Sequence, residues 1–144
     1  MLKSTNLDFK KLRVLLIEDD TIEVMKLKRA ISMLEMPHEL IEAKNGEDAL
    51  NILRDNGTLP DIILLDLNMP RINGLEFLKI LKNEELLRFL PVIILTTSNN
   101  RKDMLECYKE GVAGYILKPL KYEDYVQKIS ITLNYWSTNE LIKG

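Results

Sequence analysis

Apolar and polar residues alternate along the chain in two textures. One is the short unbroken aliphatic run, found at Val14-Leu15-Leu16-Ile17, Ile62-Ile63-Leu64-Leu65 and Val92-Ile93-Ile94-Leu95, while Val112-Ala113-Gly114-Tyr115-Ile116-Leu117 reads as a fifth strand. Runs of this length bounded by turn residues fit strands buried on both faces, as in a parallel sheet covered by helices. Glu39 to Ala43 reads as a further short strand. The other texture repeats at helical spacing. From Thr21 to about Glu35 it places Leu27, Ala30, Ile31 and Leu34 on one side and Lys26, Lys28 and Arg29 toward solvent, and Met36-Pro37 stops it. A second helix follows Asn45-Gly46, carries Ala49, Leu50 and Leu53, and ends at Asn56-Gly57. A third follows Asn73-Gly74 with Leu75, Phe77, Leu78 and Leu81. The fourth, near Arg101–Glu110, presents Met104, Leu105 and Tyr108 on one side and stops at Gly111. The last runs from about Tyr122 to Trp136, with Tyr122, Val126, Ile129, Leu133 and Trp136 as its stripe against the sheet. Strands alternating with helices throughout imply an α/β protein: one doubly wound, right-handed sheet of five parallel strands with helices on both faces.

Composition narrows the function. A length of 144 residues suits one domain. The formal net charge of −2 supplies no basic field for nucleic acid or an anionic membrane surface, and no apolar run is long enough to suggest a membrane span. Cys107 is the single cysteine, so it forms no internal disulfide and suits a reducing compartment. Its helix-like neighbours make it a packing or surface thiol. The N-terminus lacks the apolar core of a signal peptide, and the chain reads as cytoplasmic.

The strand ends carry the chemistry. Glu18, Asp19 and Asp20 follow the first strand, Asp66 the third, Thr96 the fourth and Lys118 the fifth. Singly, these are a solvated turn, a capping residue or a surface lysine. In a parallel sheet all carboxyl ends lie along one edge, so the side chains converge. Crowded carboxylates repel, and a hard divalent cation with few protein ligands resolves the repulsion, as Mg²⁺ does. No His or Cys stands at a strand end, which argues against zinc or copper, and His38 reads as structural. A carboxylate beside Mg²⁺ and a lysine can attack phosphorus and form an aspartyl phosphate, with Thr96 donating to a phosphoryl oxygen. The chain has no glycine-rich phosphate loop, so a bound nucleotide is not expected.

The set Ile17-Glu18-Asp19-Asp20, Leu65-Asp66-Leu67-Asn68-Met69-Pro70 with Gly74, Thr96-Thr97-Ser98 and Lys118-Pro119 resembles the receiver domain of two-component response regulators, of the CheY-like superfamily. The resemblance covers residues 12–136, leaving tails at 1–11 and 137–144. It implies a flavodoxin-like sheet of strand order 2-1-3-4-5. It implies Asp66 as the phosphoacceptor, supplied by a histidine kinase or phosphotransfer protein in a phosphorelay. Glu18, Asp19, Asp66 and the backbone carbonyl of Asn68 would hold Mg²⁺. Thr96 and Lys118 would sense the phosphoryl group, and Tyr115 would be the aromatic partner of Thr96 in the switch. The resemblance further implies a cis bond between Lys118 and Pro119. Few residues follow the last helix, so output is expected through a downstream protein partner rather than an appended effector, and catalysis only of the chain's own phosphorylation and dephosphorylation. A Mg²⁺-dependent phosphohydrolase with an aspartyl nucleophile is the alternative. Such an enzyme needs a general acid two residues after the nucleophile, where this chain has Asn68.

Three positions depart from the commonest receiver forms. Asp20 adds a carboxylate best read as a helix N-cap. Thr97 is bulkier than the usual Ala, and Leu120 replaces a frequent Phe. The Thr96-Thr97-Ser98 triplet and the ending Leu133-Asn134-Tyr135-Trp136 are similar to stand-alone regulators associated with phytochromes. Ile131 and Tyr135 fall off the buried stripe of the last helix, which suggests a homodimer through the fourth helix, fifth strand and fifth helix.

Overall fold

The computed structural model describes residues 10–55, 57 and 59–142. Its elements, in chain order, are β1 (Arg13–Ile17), α1 (Thr21–Met33), β2 (Glu39–Ala43), α2 (Gly46–Arg54), β3 (Ile62–Leu65), α3 (Gly74–Lys82), β4 (Val92–Thr96), α4 (Arg101–Lys109), β5 (Gly114–Leu117) and α5 (Tyr122–Trp136). The strands form one parallel sheet of order β2-β1-β3-β4-β5, which is the flavodoxin-like order.

Alternation along the central strands divides the core in two. Leu15, Ile17, Ile63 and Leu65 face α2, α3 and α4, packing with Leu50, Phe77, Leu78 and Cys107. Val14, Leu16, Ile62 and Leu64 face α1 and α5, packing with Leu27, Ala30, Tyr125 and Ile129. Both faces are covered, which is why the central strands read as unbroken apolar runs. Polar side-chain caps start α1 to α4, while α5 begins at Lys121 with no side-chain cap bond. Asp20 accepts the Ile22 N–H, Asn45 that of Asp48, and Asn100 those of Lys102 and Asp103. Asn73 and Glu76 form a reciprocal capping box on α3. The N-cap role expected of Asp20 is therefore present.

Several details differ from the sequence reading. α1 ends at Met33, because Glu35 takes a left-handed backbone (φ 53°) and Met36 N–H returns to Ile31 O (3.2 Å). α2 ends at Arg54 with Asp55 as its cap, and Asn56 lies outside the described residues. On α4 the inward residue is Cys107, which packs with Val112, while Leu105 and Tyr108 are exposed. A pattern of large apolar residues overlooks a thiol, although free cysteine is among the most buried residue types. Tyr125, absent from the expected stripe of α5, is fully buried. The described peptide bonds are all trans, including Lys118–Pro119, which corrects the cis expectation. Trans is the lower-energy X–Pro isomer, and with it Lys118 N–H still reaches Thr96 O (2.8 Å) and its ammonium still reaches the acids of β1. Among the described residues no helix is long and apolar enough to cross a membrane.

His38 is structural, as expected: its Nδ1 accepts the N–H of Leu12 at 2.9 Å, tying the start of β2 to the chain entering β1. Burial lowers its pKa, with the charge of Asp61 pulling the other way. A histidine depressed below its unfolded value of about 6.5 stabilises the fold above that pH, and the contribution is lost as pH falls below it. His38→Gln keeps an acceptor without the titration. Urea midpoints at about pH 7.5 and 5.5 should show wild type losing more stability on acidification than the variant; equal losses would contradict this role.

Candidate functional site

Sheet register brings the strand ends together. Ile17 is paired with Leu65 and Thr96 with Leu117, so Glu18, Asp66 and Lys118 emerge at neighbouring points of one edge. Backbone bonds continue the ladder beyond the strands: Glu18 N–H to Ala43 O (3.0 Å), Asp66 N–H to Ile17 O (3.1 Å), Lys118 N–H to Thr96 O (2.8 Å). Gly74, at the start of α3, lies against this edge. A Cβ there would stand 2.6 Å from Asp66 O and 2.7 Å from Leu67 Cα, so only glycine lets α3 approach the backbone that carries Asp66.

Glu18, Asp19 and Asp66 each offer a carboxylate oxygen within 4.8 Å of the others. Glu18 and Asp66 are buried and Asp19 is exposed. They line an open cleft of about 500 Å³ together with Asn68, Thr97 and Lys118. Burial raises the pKa of Asp66, against the lowering influence of the Lys118 charge, the Thr96 side-chain hydrogen bond and the Asn68 backbone N–H. Burial also pushes the Glu18 carboxyl up, against its bond to Lys118 and with help from the charge of Asp66. Lys118 would be lowered by its own burial, but hydrogen bonds to Glu18 and Glu23 outweigh this and keep it a cation. Its ammonium lies 2.7 Å from Glu18 Oε1 and 2.9 Å from Glu23 Oε1. The donor set is all oxygen, crowded and acidic, which fits a hard divalent cation.

A second group leads away from the cleft. Thr96 is fully buried, and its Oγ1 accepts the Ser98 N–H at 3.3 Å. Tyr115 donates its hydroxyl to Ser98 O at 2.8 Å, and Ser98 Oγ donates to Asp103 at 2.8 Å. Thr96 and Tyr115 thus meet on one short segment between β4 and α4. Thr97 is exposed at the cleft, and Leu120 is entirely exposed at its rim.

All the strand-end residues picked out in the sequence converge here. Glu23, which was not singled out, also belongs. Its signal is positional: an acid in the first turn of the helix that follows an acidic strand end.

Residues 14–130 match the response regulator receiver domain family. The chain belongs to that family. The receiver is 35% identical over 127 residues to the probable methanogenesis regulatory protein FilR2 of Methanothrix harundinacea, covering 85% of this chain and 82% of that one. It superposes on the phosphorylated cyanobacterial phytochrome response regulator RcpA with a TM-score of 0.85 at 31% identity, covering 91% of this chain and 98% of that one. The manganese-bound form of response regulator Rcp1 aligns with a TM-score of 0.81 at 30% identity, covering 91% and 99%. The receiver therefore accepts a phosphoryl group at its cluster of Glu18, Asp19 and Asp66, and its own phosphorylation and dephosphorylation are its chemistry. Histidine kinases or phosphotransfer proteins stand upstream of such domains in two-component signalling, and protein partners stand downstream.

Proposed function

We propose that Asp66 is the phosphoacceptor of this receiver and that Mg²⁺ at Glu18, Asp19, Asp66 and the Asn68 backbone carbonyl is required for its phosphorylation. The observation that carries the reading is the convergence of a buried carboxylate, two more acids and a buried ammonium at the carboxyl edge of the sheet. The manganese-bound form of the similar regulator Rcp1 supports a hard divalent cation here. When bound, the cation neutralises developing negative charge on the phosphoryl oxygens. Asp66 attacks phosphorus from a support fixed by the β1–β3 pairing and by its own N–H on Ile17 O. Lys118 brings a positive charge, and the buried Thr96 hydroxyl, whose influence lowers the Asp66 pKa, is placed to donate to a phosphoryl oxygen. The domain itself spans residues 12–136. A phosphohydrolase reading is disfavoured, because Asn68 cannot act as general acid two residues after the nucleophile.

Thr96 and Tyr115 are the switch in this reading. A Thr96 hydroxyl drawn to the phosphoryl group gives up the Ser98 N–H, and Tyr115 senses the same segment through Ser98 O. A contact that differs between the two states can bias their populations. Incubation with Mg²⁺ and a small acyl-phosphate donor should add one acid-labile phosphoryl group, located by mass spectrometry at Asp66, and Asp66→Asn should abolish it. Labelling that persists in the variant, or proceeds fully in chelator, would refute the assignment.

The output face is α4, β5 and α5, through which two copies pair. Leu105 and Tyr108 on α4, Leu117 on β5, and Ile131 and Tyr135 on α5 are all exposed, more apolar surface than the sequence pattern suggested. Lys109, Lys121 and Lys128 accompany Glu110, Glu123 and Asp124, giving both signs for an isologous contact. Sedimentation at tens of micromolar, an order-of-magnitude choice for a modest interface, should show a dimer for wild type and a monomer for the double variant Ile131→Glu, Tyr135→Glu. Identical monomers, phosphorylated or not, would rule the pairing out.

A further inference from the structure

The Lys118 side chain is almost fully buried, and among the described residues its two ion pairs flank the turn from β1 into α1, to Glu18 just after β1 at 2.7 Å and to Glu23 in the first turn of α1 at 2.9 Å. Among the described residues no ion pair joins it to Asp66, although Asp66 feels its charge. Glu18 has a second task in the acidic cluster. Glu23 does not belong to that cluster, and nothing in the function proposed above uses it. It occupies the first turn of α1 behind the Asp20 cap. Helical side chains lean toward the helix N-terminus, which carries this one over the strand ends. On its other side Lys26 lies 3.3 Å away, and the Lys26 ammonium sits 4.7 Å from the centre of the buried Tyr125 ring. Glu23 is thus fixed between two cations.

We propose that Glu23 is a positioning residue: it holds the Lys118 ammonium off Asp66 in the resting receiver and competes for it with the phosphoryl group. The inference rests on Asp66 being the phosphoacceptor. An aspartyl phosphate presents several charged oxygens beside Lys118, and a lysine reaching them leaves Glu23. No covalent bond and no proton is exchanged in that step. Glu23 keeps Lys26 as partner, while the 2.9 Å pair with Lys118 is lost on every phosphorylation. Glu23 therefore weights the equilibrium toward the resting state, and removing its charge without changing its shape shifts the balance the other way.

Beryllofluoride, formed from beryllium and fluoride salts in the presence of Mg²⁺, is a non-covalent phosphoryl mimic that tests this on the intact chain. Wild type, Glu23→Gln, Glu23→Ala and Asp66→Asn are titrated with it, and the side-chain ammonium resonance of Lys118 is followed by ¹⁵N NMR. Both Glu23 variants should bind about three- to tenfold more tightly than wild type, the size of one charge-assisted hydrogen bond discounted for partial exposure. In the resting Glu23 variants the Lys118 resonance should already be displaced toward its bound position. A purely structural role for Glu23 would not produce that displacement. Failure of wild type to bind, or equal binding by Asp66→Asn, would remove the Asp66 assignment and this inference with it. Normal behaviour of wild type and Asp66→Asn, with Glu23 variants that bind within twofold of wild type or more weakly, would overturn the role of Glu23 alone.

Discussion

Three carboxylates held within 4.8 Å of one another are the constraint on which this receiver depends. Free in solution such groups separate or take up protons. The parallel sheet leaves Glu18 and Asp66 little freedom to separate, because Ile17 and Leu65 are in register and each acid is bonded through its backbone to the neighbouring strand. Two like charges about 4 Å apart repel by roughly 4 kcal/mol at an effective dielectric of 20, a large share of the stability of a small domain. Lys118 offsets part of this, while burial pushes both buried acids upward. The crowded, all-oxygen donor set is thus compatible with a hard divalent cation.

The apolar architecture supplies the rigidity that makes this tension useful. Both faces of β1, β3 and β4 are buried, so their ends are fixed by packing as well as by hydrogen bonds. Gly74 adds a local condition, since α3 rests directly on the backbone of Asp66 and Leu67. Lys118 follows the edge strand β5, and its long side chain reaches across to the ion pairs with Glu18 and Glu23. Several acids on one rigid edge thus share a single buried counter-charge.

Much of this was legible in the sequence because it is written in local patterns. Unbroken aliphatic runs marked the doubly covered strands, and polar residues at their ends marked the carboxyl edge. The Asn and Asp caps followed from side chains that bond the next turn of backbone. The misses share a cause: they depend on three-dimensional neighbours. Glu23 reads as an ordinary first-turn acid until Lys118, far along the chain, is placed against it. Gly74 reads as a turn residue until the Asp66 carbonyl is found 2.6 Å from where its Cβ would stand. Cys107 was passed over as the inward residue of α4 because larger apolar neighbours outweighed it in the pattern, although the sheet accepts the small thiol and leaves Leu105 and Tyr108 outside. The Lys118–Pro119 geometry came from the resemblance alone, and the trans bond meets the local needs of the chain.

The central claim, that crowded acids strain the resting site and that a divalent cation relieves them, is tested most directly by unfolding wild type and Asp19→Asn in urea, each in chelator and in Mg²⁺. A ligand at tenfold excess over its Kd stabilises by about 1.4 kcal/mol. Wild type should gain on that order from Mg²⁺, while Asp19→Asn should be at least as stable as wild type in chelator and gain little from the ion. An Asp19→Asn variant that is less stable in chelator, and that gains as much from Mg²⁺ as wild type does, would contradict the account.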